Sequence, residues 1–245
     1  MSCVQTLMIE DPPILKIKQT RNRPSQAQID AFKGVPTGFV VDAMYGRGAL
    51  AKDIYPLAGL PHGKAEGEGG SVAGPALTAD NGPADILASL AALHYLQPGD
   101  VLVAAFDGYQ GCAAAGDRLC GMVQNAGGIA FITDGPVRDL AGLQEVGLPL
   151  WATGLTPASP FSSGPGVVGF PVQIGGQHIA SGDMIVADSD GVVVVPFAEI
   201  DAVIDRLKVI ERLERERDQQ VADGLTVPQN VLEILHSKRT LLTDD

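Results

Sequence analysis

Residues 131–143, with the sequence FITDGPVRDLAGL, combine a strand, a turn and the start of a helix. The apolar run that ends at Thr133 is typical of a buried strand, and Asp134-Gly135-Pro136 is a turn sequence. Arg138 and Asp139 follow the turn and precede an amphipathic stretch. This order predicts a guanidinium and a carboxylate at the end of a buried strand.

The same alternation of strand and helix extends over residues 83–150. Some segments repeat apolar residues at helical spacing, and the short continuous apolar runs between them are typical of buried strands. The predicted elements are a helix from Pro83 to about Leu96, a strand at 101–106, a helix within 112–126 and a strand at 129–133. Strands that alternate with helices predict a parallel βαβ core.

The pattern changes on both sides of this core. Gly175-Gly176 and Ser189-Asp190-Gly191 separate short strands, and because these residues tolerate positive φ they predict an antiparallel β unit. A long helix with one apolar stripe is predicted from Pro196 to about Asp223. Before the core, we predict an N-terminal arm over 1–25, helices that begin near Ser25 and Thr37, a loop over 56–70, and a strand at 71–79 interrupted at Gly74-Pro75.

These elements predict an α/β fold in a layered β/β/α arrangement, similar to swivelling domains. The predicted single domain covers residues 26–225 and contains the parallel βαβ core, the antiparallel β unit and the long C-terminal helix. Residues 226–245 are expected to form a short helix and a tail.

The composition excludes some classes of partner. The chain has 245 residues and a formal net charge of −12, so phosphate-rich nucleic acids and anionic membranes are expected to be repelled. Cys3, Cys112 and Cys120 form no CxxC motif, and the latter two are predicted to be small buried thiols. The first residues lack the apolar core of a signal peptide, and we predict a cytoplasmic location.

Three charged residues form the candidate site: Asp117, Arg138 and Asp139. Ligands of open α/β sheets bind beyond the carboxyl ends of the parallel strands, where these residues are predicted to lie. Two carboxylates can hold Mg²⁺ or Mn²⁺, and a neighbouring arginine can polarise a 2-keto acid. The same residues are also compatible with a structural salt bridge at a helix N-terminus, with Asp139 as the cap. The pattern alone leaves both interpretations open.

Several motifs occur here in one order and spacing: AGPALT (73–78), LQPGDVLV (96–103), GDRL (116–119), GGIAFITDGPVRDL (127–140), GLPLWATGLTP (147–157) and VADSDGVVVVP (186–196). With these motifs the chain resembles the 4-hydroxy-4-methyl-2-oxoglutarate aldolases, class II pyruvate aldolases that share a fold with the regulator of ribonuclease E activity. The resemblance covers roughly residues 35–225.

The resemblance implies a role for each site residue. Asp139 would ligate a divalent metal, Mg²⁺ or Mn²⁺, and Asp117 would position metal-bound water. Arg138 would contact the substrate keto oxygen. The substrate carboxylate would bind the backbone N–H groups of Gly116, Asp117, Arg118 and Leu119, as anions do at a helix entrance.

The resemblance also implies a catalytic glutamate from the long helix of a neighbouring subunit in a homotrimer or homohexamer. Glu214 is the best match, with Glu211 and Glu216 nearby. The implied activity is cleavage of a 4-hydroxy-2-keto acid to pyruvate and a second keto acid or aldehyde, with oxaloacetate decarboxylation as a side activity. The alternatives are a non-catalytic protein-binding regulator and a related lyase or hydrolase that acts on another acid.

The chain departs from the family in several places, which include the N-terminal arm and an insertion around His62-Gly63-Lys64. The stretch AAFDGYQGCAAAG, residues 104–116, is about one residue longer than usual. Dicarboxylate-specific members often have a basic residue near PASPFSSGPG, where this chain has Ser159, Ser162 and Ser163. The four histidines form no HxH or HxxxH pair, and each is predicted to be structural or exposed; they are His62, His94, His178 and His236.

Overall fold

The structure, a computed structural model, describes residues 13–60 and 70–243. The strands are β1 Leu15–Ile17, β2 Tyr55–Ala58, β3 Val72–Asp80, β4 Val101–Ala105, β5 Ala130–Thr133, β6 Leu150–Ala152, β7 Gly166–Val168, β8 Val172–Ile174, β9 Gln177–Ile179, β10 Met184–Ala187 and β11 Val192–Val195. The α-helices are α1 Gln26–Asp30, α2 Thr37–Ala43, α3 Leu87–Ala92, α4 Asp117–Asn125, α5 Leu140–Val146, α6 Ile200–Ala222 and α7 Gln229–Leu235.

The main sheet has the strand order β1-β7-β3-β4-β5-β6-β2. Strands β3, β4, β5 and β6 are parallel neighbours, and α3, α4 and α5 connect them in turn. The predicted parallel βαβ core is therefore confirmed. Its carboxyl ends are followed by three loops, and these loops carry the candidate site.

A second, antiparallel sheet packs on the first. Strand β10 pairs with β11 and with the first half of β3, and β8 and β9 form a separate hairpin at Gly175-Gly176. Apolar side chains of both sheets meet in one core, which includes Val103, Trp151 and Ile185. The predicted antiparallel β unit is confirmed.

Helices cover the outer faces of both sheets. Helices α3, α4 and α5 pack on the main sheet, and α1, α2 and α6 pack on the β10–β11 side. The layered β/β/α prediction is thus confirmed, and a further helical layer lies on the far side of the main sheet. The side chains alternate as a sheet requires, since Leu102 faces the helices and Val103 faces the second sheet.

Strand β3 is continuous through Gly74-Pro75, so the predicted interruption was wrong. The strand changes partner at this point: residues 72–75 pair with β10, and residues 76–80 pair with β4. A Cβ on Gly74 would lie 2.3 Å from the carbonyl oxygen of Gly99, which explains the glycine. Gly74 and Pro75 therefore mark the point at which β3 passes from the second sheet to the main sheet, and the strand does not break there.

Two segments predicted as irregular form strands. Residues 15–17 of the predicted arm pair with β7, and residues 55–58 of the predicted loop pair with β6. Both strands are short and lie at sheet edges, so they carry no clear hydrophobic alternation. The arm is also fixed by Arg21 and Arg23, which both form ion pairs with the buried carboxylate of Asp100.

The predicted helices exist, but several are shorter than expected. Helix α2 ends at Ala43, close to the glycines at 46 and 48 that were predicted to end it, and α3 covers only residues 87–92. Thr37 is the first residue of α2 and not its cap. Its amide and hydroxyl both donate to the Asp188 carboxylate, at 2.8 Å, so a residue of the β10–β11 turn caps this helix.

The long helix α6 packs along only part of its length. Its buried residues are Ile200, Val203 and Leu207, whereas Leu213 of the predicted stripe is 49% exposed.

Cys112 and Cys120 are buried free thiols, as predicted, and burial raises the pKa of Cys120 to about 12. Among the described helices, none is long and apolar enough to cross a membrane.

Candidate functional site

The loops after β4, β5 and β6 lie side by side at the carboxyl edge of the main sheet. Isolated parallel bridges join Ala115 to Val137 and Val137 to Leu155, so the loops continue the order of the strands. The Arg138 amide donates to the carbonyl of Ala115 at 3.0 Å. The backbone thus brings the start of α4 next to the Arg138-Asp139 pair.

Asp117 is the first residue of α4. Its Oδ1 accepts a hydrogen bond from the Arg118 amide at 2.7 Å, and a Cβ on Gly142 would lie 2.5 Å from its Oδ2. The first amides of a helix have no intrahelical acceptor and attract negative charge. Because Asp117 already uses the Arg118 amide, the amides of Gly116, Asp117 and Leu119 are the ones left at this helix entrance for a substrate carboxylate.

Arg138 is held on two sides. Its Nε lies 3.2 Å from Asp139 Oδ2, and its Nη1 donates to Ser159 Oγ at 2.6 Å. The side chain is 35% exposed, so the rest of the guanidinium can reach a ligand. The carboxylate and the hydroxyl fix the direction in which that free edge points.

Asp139 occupies the N-cap position of α5 in the left-handed conformation, with φ of 62°. Within the described residues its carboxylate makes no capping hydrogen bond, so the structure does not show the cap that the salt-bridge interpretation required. The Asp139 side chain is 45% exposed. Its oxygens are therefore available to a cation on the solvent side.

Gly116 allows these residues to approach one another. A Cβ at this position would lie 2.7 Å from Asp139 Oδ2 and 3.1 Å from Arg138 Cγ. The backbone φ is −146°, which any residue can adopt, so the requirement for glycine here is steric. The structure brings together Gly116, Asp117, Arg138 and Asp139, while their catalytic roles remain predictions.

A depression of about 300 Å³ adjoins the pair, lined by Arg138, Asp139, Leu140, Leu155, Thr156 and Pro157. It has a charged end and a largely apolar wall. A larger depression of about 550 Å³ follows strand β2 and is lined, among the described residues, by uncharged side chains such as Leu57 and Gln144. The smaller depression combines charge with a concave surface at the candidate site. A further depression of about 300 Å³, whose lining includes Asp42, Lys52 and Asp190, lies between α2 and the β10–β11 turn and contains none of the candidate site residues.

The donor set restricts the kind of metal site that fits. In residues 13–60 and 70–243, no group of three or more acidic, histidine or cysteine side chains is arranged to hold a metal ion. A site built wholly from protein ligands, such as structural zinc, does not fit. One or two exposed carboxylates do fit Mg²⁺, which keeps several of its waters and takes few protein ligands.

Glu214 lies on helix α6. The half of this helix that precedes Glu214 packs with α1 and α2 on the β10–β11 side, and both sheets separate that half from α4 and α5. Among the described residues, no hydrogen bond or ion pair joins Glu211, Glu214 or Glu216 to the site of the same chain. The catalytic glutamate of a neighbouring copy stays a prediction.

Asp134 and Ser159 shape the site through contacts that the sequence did not predict. The carboxylate of Asp134 accepts hydrogen bonds from the amides of Phe106 and Gly108, at 2.7 and 2.9 Å, and holds the loop after β4. Burial raises the pKa of Asp134. Ser159 accepts a hydrogen bond from Arg138. The sequence had shown only that Ser159 lies where dicarboxylate-specific relatives often have a basic residue. Both contacts join segments more than 20 residues apart, so no local pattern shows them.

The described histidines lie outside the site. His94 packs edge-on against Tyr95, and His178 Nδ1 lies 3.1 Å from Gln173 Nε2 on the exposed hairpin. His236 follows the end of α7. His62 lies outside the described residues.

The fold and the site define a class: layered α/β proteins with a carboxylate–arginine site at the edge of a parallel sheet. The chain belongs to the RraA-like family, described as Aldolase/RraA, whose model matches residues 37–194. A "Putative 4-hydroxy-4-methyl-2-oxoglutarate aldolase" from Halalkalibacterium halodurans is 33% identical over 212 residues, which cover 85% of this chain and 97% of the relative.

Solved structures share the fold. RraAS2 of Streptomyces coelicolor, described as an unusual member of the RNase ES inhibitor RraA family, has a TM-score of 0.69 and 30% identity. The match covers 81% of this chain and all of that one. An uncharacterized protein from Pseudomonas syringae pv. tomato has a TM-score of 0.70 at 23% identity, over 84% and 97% of the two chains. The latter supports the fold alone.

Proposed function

We propose that this protein is a divalent-metal-dependent carbon–carbon lyase. It cleaves a 4-hydroxy-2-keto acid to pyruvate and a second keto acid or aldehyde, and it decarboxylates oxaloacetate. The observation that carries the proposal is the approach of Arg138 and Asp139 to Gly116, at the start of the helix whose first residue is Asp117. The relative named as an aldolase supports the same reaction class.

The chain's own residues supply substrate binding. The first-turn amides of α4 receive the carboxylate of the substrate, because they point outward and carry partial positive charge. The free edge of Arg138 donates to the 2-keto oxygen. Negative charge builds on this oxygen as the C3–C4 bond breaks, so the contact strengthens in the transition state.

Asp139 would hold the divalent cation, and Asp117, the first residue of α4, would position a water beside it. Mg²⁺ or Mn²⁺, when bound, supplies positive charge that stabilises the developing oxyanion. Asp117 takes up the proton of the substrate 4-hydroxyl through a water as the aldol bond breaks. The same proton returns to C3 and completes pyruvate. In oxaloacetate, loss of CO₂ leaves the same enolate, and C3 takes its proton from water because this substrate has no 4-hydroxyl proton to return.

A second candidate function follows from family membership. RraAS2 is described as a member of a family of RNase ES inhibitors, so a protein-binding regulator remains the alternative class. A related lyase or hydrolase for another acid is a third possibility on the same site. Both alternatives predict that 4-hydroxy-2-keto acids are not cleaved.

The decisive experiment measures pyruvate release with lactate dehydrogenase as the coupling enzyme. A panel of 4-hydroxy-2-keto acids and oxaloacetate is tested in EDTA and after return of Mg²⁺ or Mn²⁺. We expect release that EDTA abolishes and the cation restores. A protein that releases no pyruvate from any of these acids, yet inhibits an RNase E-type nuclease, would establish the regulator instead.

A further inference from the structure

The loop after β6 presents Ser159 to Arg138 in a fixed position. On the N-terminal side of this serine, the Thr156 amide donates to the carbonyl of Val137 at 2.9 Å. The carbonyl of Ala158 accepts from the Ala113 amide at 3.0 Å. The loop is therefore attached to the loops after β5 and β4 immediately before Ser159.

The loop is also attached on the C-terminal side. The Phe161 amide donates to the carbonyl of Ala84 at 2.8 Å. The buried carboxylate of Asp85 accepts from the amides of Ser163 and Gly164, at 2.7 and 3.0 Å. With anchors on both sides, the position of the Ser159 hydroxyl is set by the backbone and not by a mobile loop tip.

This hydroxyl completes the support of the guanidinium. Asp139 holds Nε and Ser159 holds Nη1, so two of the three nitrogens are fixed. An exposed arginine otherwise retains much rotamer freedom, and ordering it on substrate binding costs free energy. A neutral hydroxyl orders the side chain without neutralising its charge, whereas a second carboxylate would weaken its attraction for an oxyanion.

We infer that Ser159 is a positioning residue for Arg138, an inference that rests on the proposed function. It holds the guanidinium so that its free edge faces the depression between Arg138 and Pro157, where the keto oxygen would bind. Ser159 does not touch the reacting atoms. Its contribution is preorganisation of the group that does.

Three variants test this role: Ser159→Ala, Ser159→Thr and, as the matched control, Ser162→Ala on the same exposed loop. Loss of a hydrogen bond to a charged group corresponds to about a tenfold or larger effect. We expect Ser159→Ala to lower kcat/KM by at least about tenfold, mainly through kcat, because the Arg138 contact strengthens in the transition state. Ser159→Thr, which keeps the hydroxyl, restores most of the rate, and Ser162→Ala matches the wild type.

A second readout does not depend on activity. The Nε–H signal of Arg138 in ¹⁵N NMR, assigned with Arg138→Lys, reports how firmly the guanidinium is held. Ser159→Ala should speed its exchange with water, and Ser162→Ala should not. If the wild type cleaves keto acids but Ser159→Ala behaves as Ser162→Ala in both readouts, or if threonine fails to rescue, the inference is overturned and the proposed function stands. If the wild-type protein has no activity, the proposed function is refuted. The NMR comparison of Ser159→Ala with Ser162→Ala still shows whether Ser159 holds the Arg138 guanidinium.

Discussion

At the scale of single residues, the site depends on two backbone positions with special requirements. Asp139 holds a left-handed conformation, with φ of 62°, which asparagine and aspartate tolerate better than other side-chain-bearing residues. Gly116 lies so close to the Arg138-Asp139 pair that a Cβ at this position would displace the Asp139 carboxylate. The constraint at Asp139 concerns backbone conformation, and the constraint at Gly116 concerns the space for a side chain. The two can therefore be tested separately.

Asp139→Asn should abolish metal-dependent activity without unfolding the protein. The amide keeps the size and the left-handed conformation but removes the charge that a divalent cation needs. We expect pyruvate release to fall by at least about 100-fold, with weaker Mn²⁺ binding in electron paramagnetic resonance titrations. Asp107→Asn is the matched control, because Asp107 also has positive φ, at 54°. Equal activities of the two variants would exclude Asp139 as a ligand.

Gly116→Ala should reduce activity through a steric effect. The new Cβ would lie 2.7 Å from Asp139 Oδ2, so the carboxylate has to move. We expect at least about a tenfold loss in kcat/KM, since small displacements of catalytic groups are costly. Gly38→Ala is the control: its Cβ would meet nothing within 4 Å, and alanine in helix α2 should raise the free energy of unfolding by about 0.5–1 kcal/mol. Undiminished activity in Gly116→Ala would contradict the tight approach.

At the scale of elements, buried carboxylates join strands to helices. Asp183 is nearly fully buried before β10, and it accepts from the amides of Ala180 and Phe197 at 2.8 Å each. It therefore fixes the start of α6 against the second sheet. Asp134 does the same for the loop after β4. Both carboxyl groups have pKa values raised by burial.

The raised pKa of Asp183 predicts a pH-dependent stability. The folded state retains this proton above the ordinary pKa of 3.8, so it binds more protons than the unfolded chain. The contribution to the free energy of unfolding therefore falls as pH rises from about 4 through the raised pKa. Asp183→Asn removes the pH-dependent contribution of this carboxyl group, and it loses one of the two amide hydrogen bonds at every pH. Urea titrations at several pH values should show a lower free energy of unfolding for the variant, and the difference from the wild type should narrow as pH rises. A difference that widens would mean that the pKa of Asp183 is lowered in the folded state.

Sequence patterns predicted elements best where burial is continuous. Strands β4 and β5 are fully buried, and their apolar runs identified them and their parallel order. The edge strands β1 and β2 were missed because pairing with a distant strand, and not local composition, makes them strands. Helix α2 ends at Ala43, before Tyr45 and Gly46, whose positive φ of 58° and 81° cannot continue a right-handed helix. Its N-terminus is capped by Asp188, which is 151 residues away.

At the scale of the whole molecule, the distal half of α6 is largely exposed to solvent. Leu213 and Val221 are 49% and 58% exposed, and Glu214 lies between them. The proposed trimer or hexamer would cover this segment and bring Glu214 to the site of a neighbouring copy. Each active site would then contain residues of two chains.

Mixed oligomers test this arrangement. Asp139→Asn and Glu214→Gln should each be inactive alone, but coexpressed chains should recover activity because about a quarter of the sites combine an intact Asp139 with an intact Glu214 of the neighbour. The control is coexpression of Asp139→Asn with Arg138→Lys, which should not recover, since both changes affect the same chain's contribution. Glu211→Gln and Glu216→Gln should stay active. Absence of recovery in the first mixture would place Glu214 outside the site.

The sequence by itself determined the parallel core, the antiparallel β unit and the position of Arg138 and Asp139 after a buried strand. These features follow from local hydrophobic periodicity and turn residues, which act over a few positions. Only the tertiary structure decided that Gly116 contacts the pair, that Ser159 holds Arg138, and that the first half of α6 packs in the opposite helical layer. Such contacts join segments that are distant in the chain, and they arise from how two sheets pack and not from any pattern within one segment.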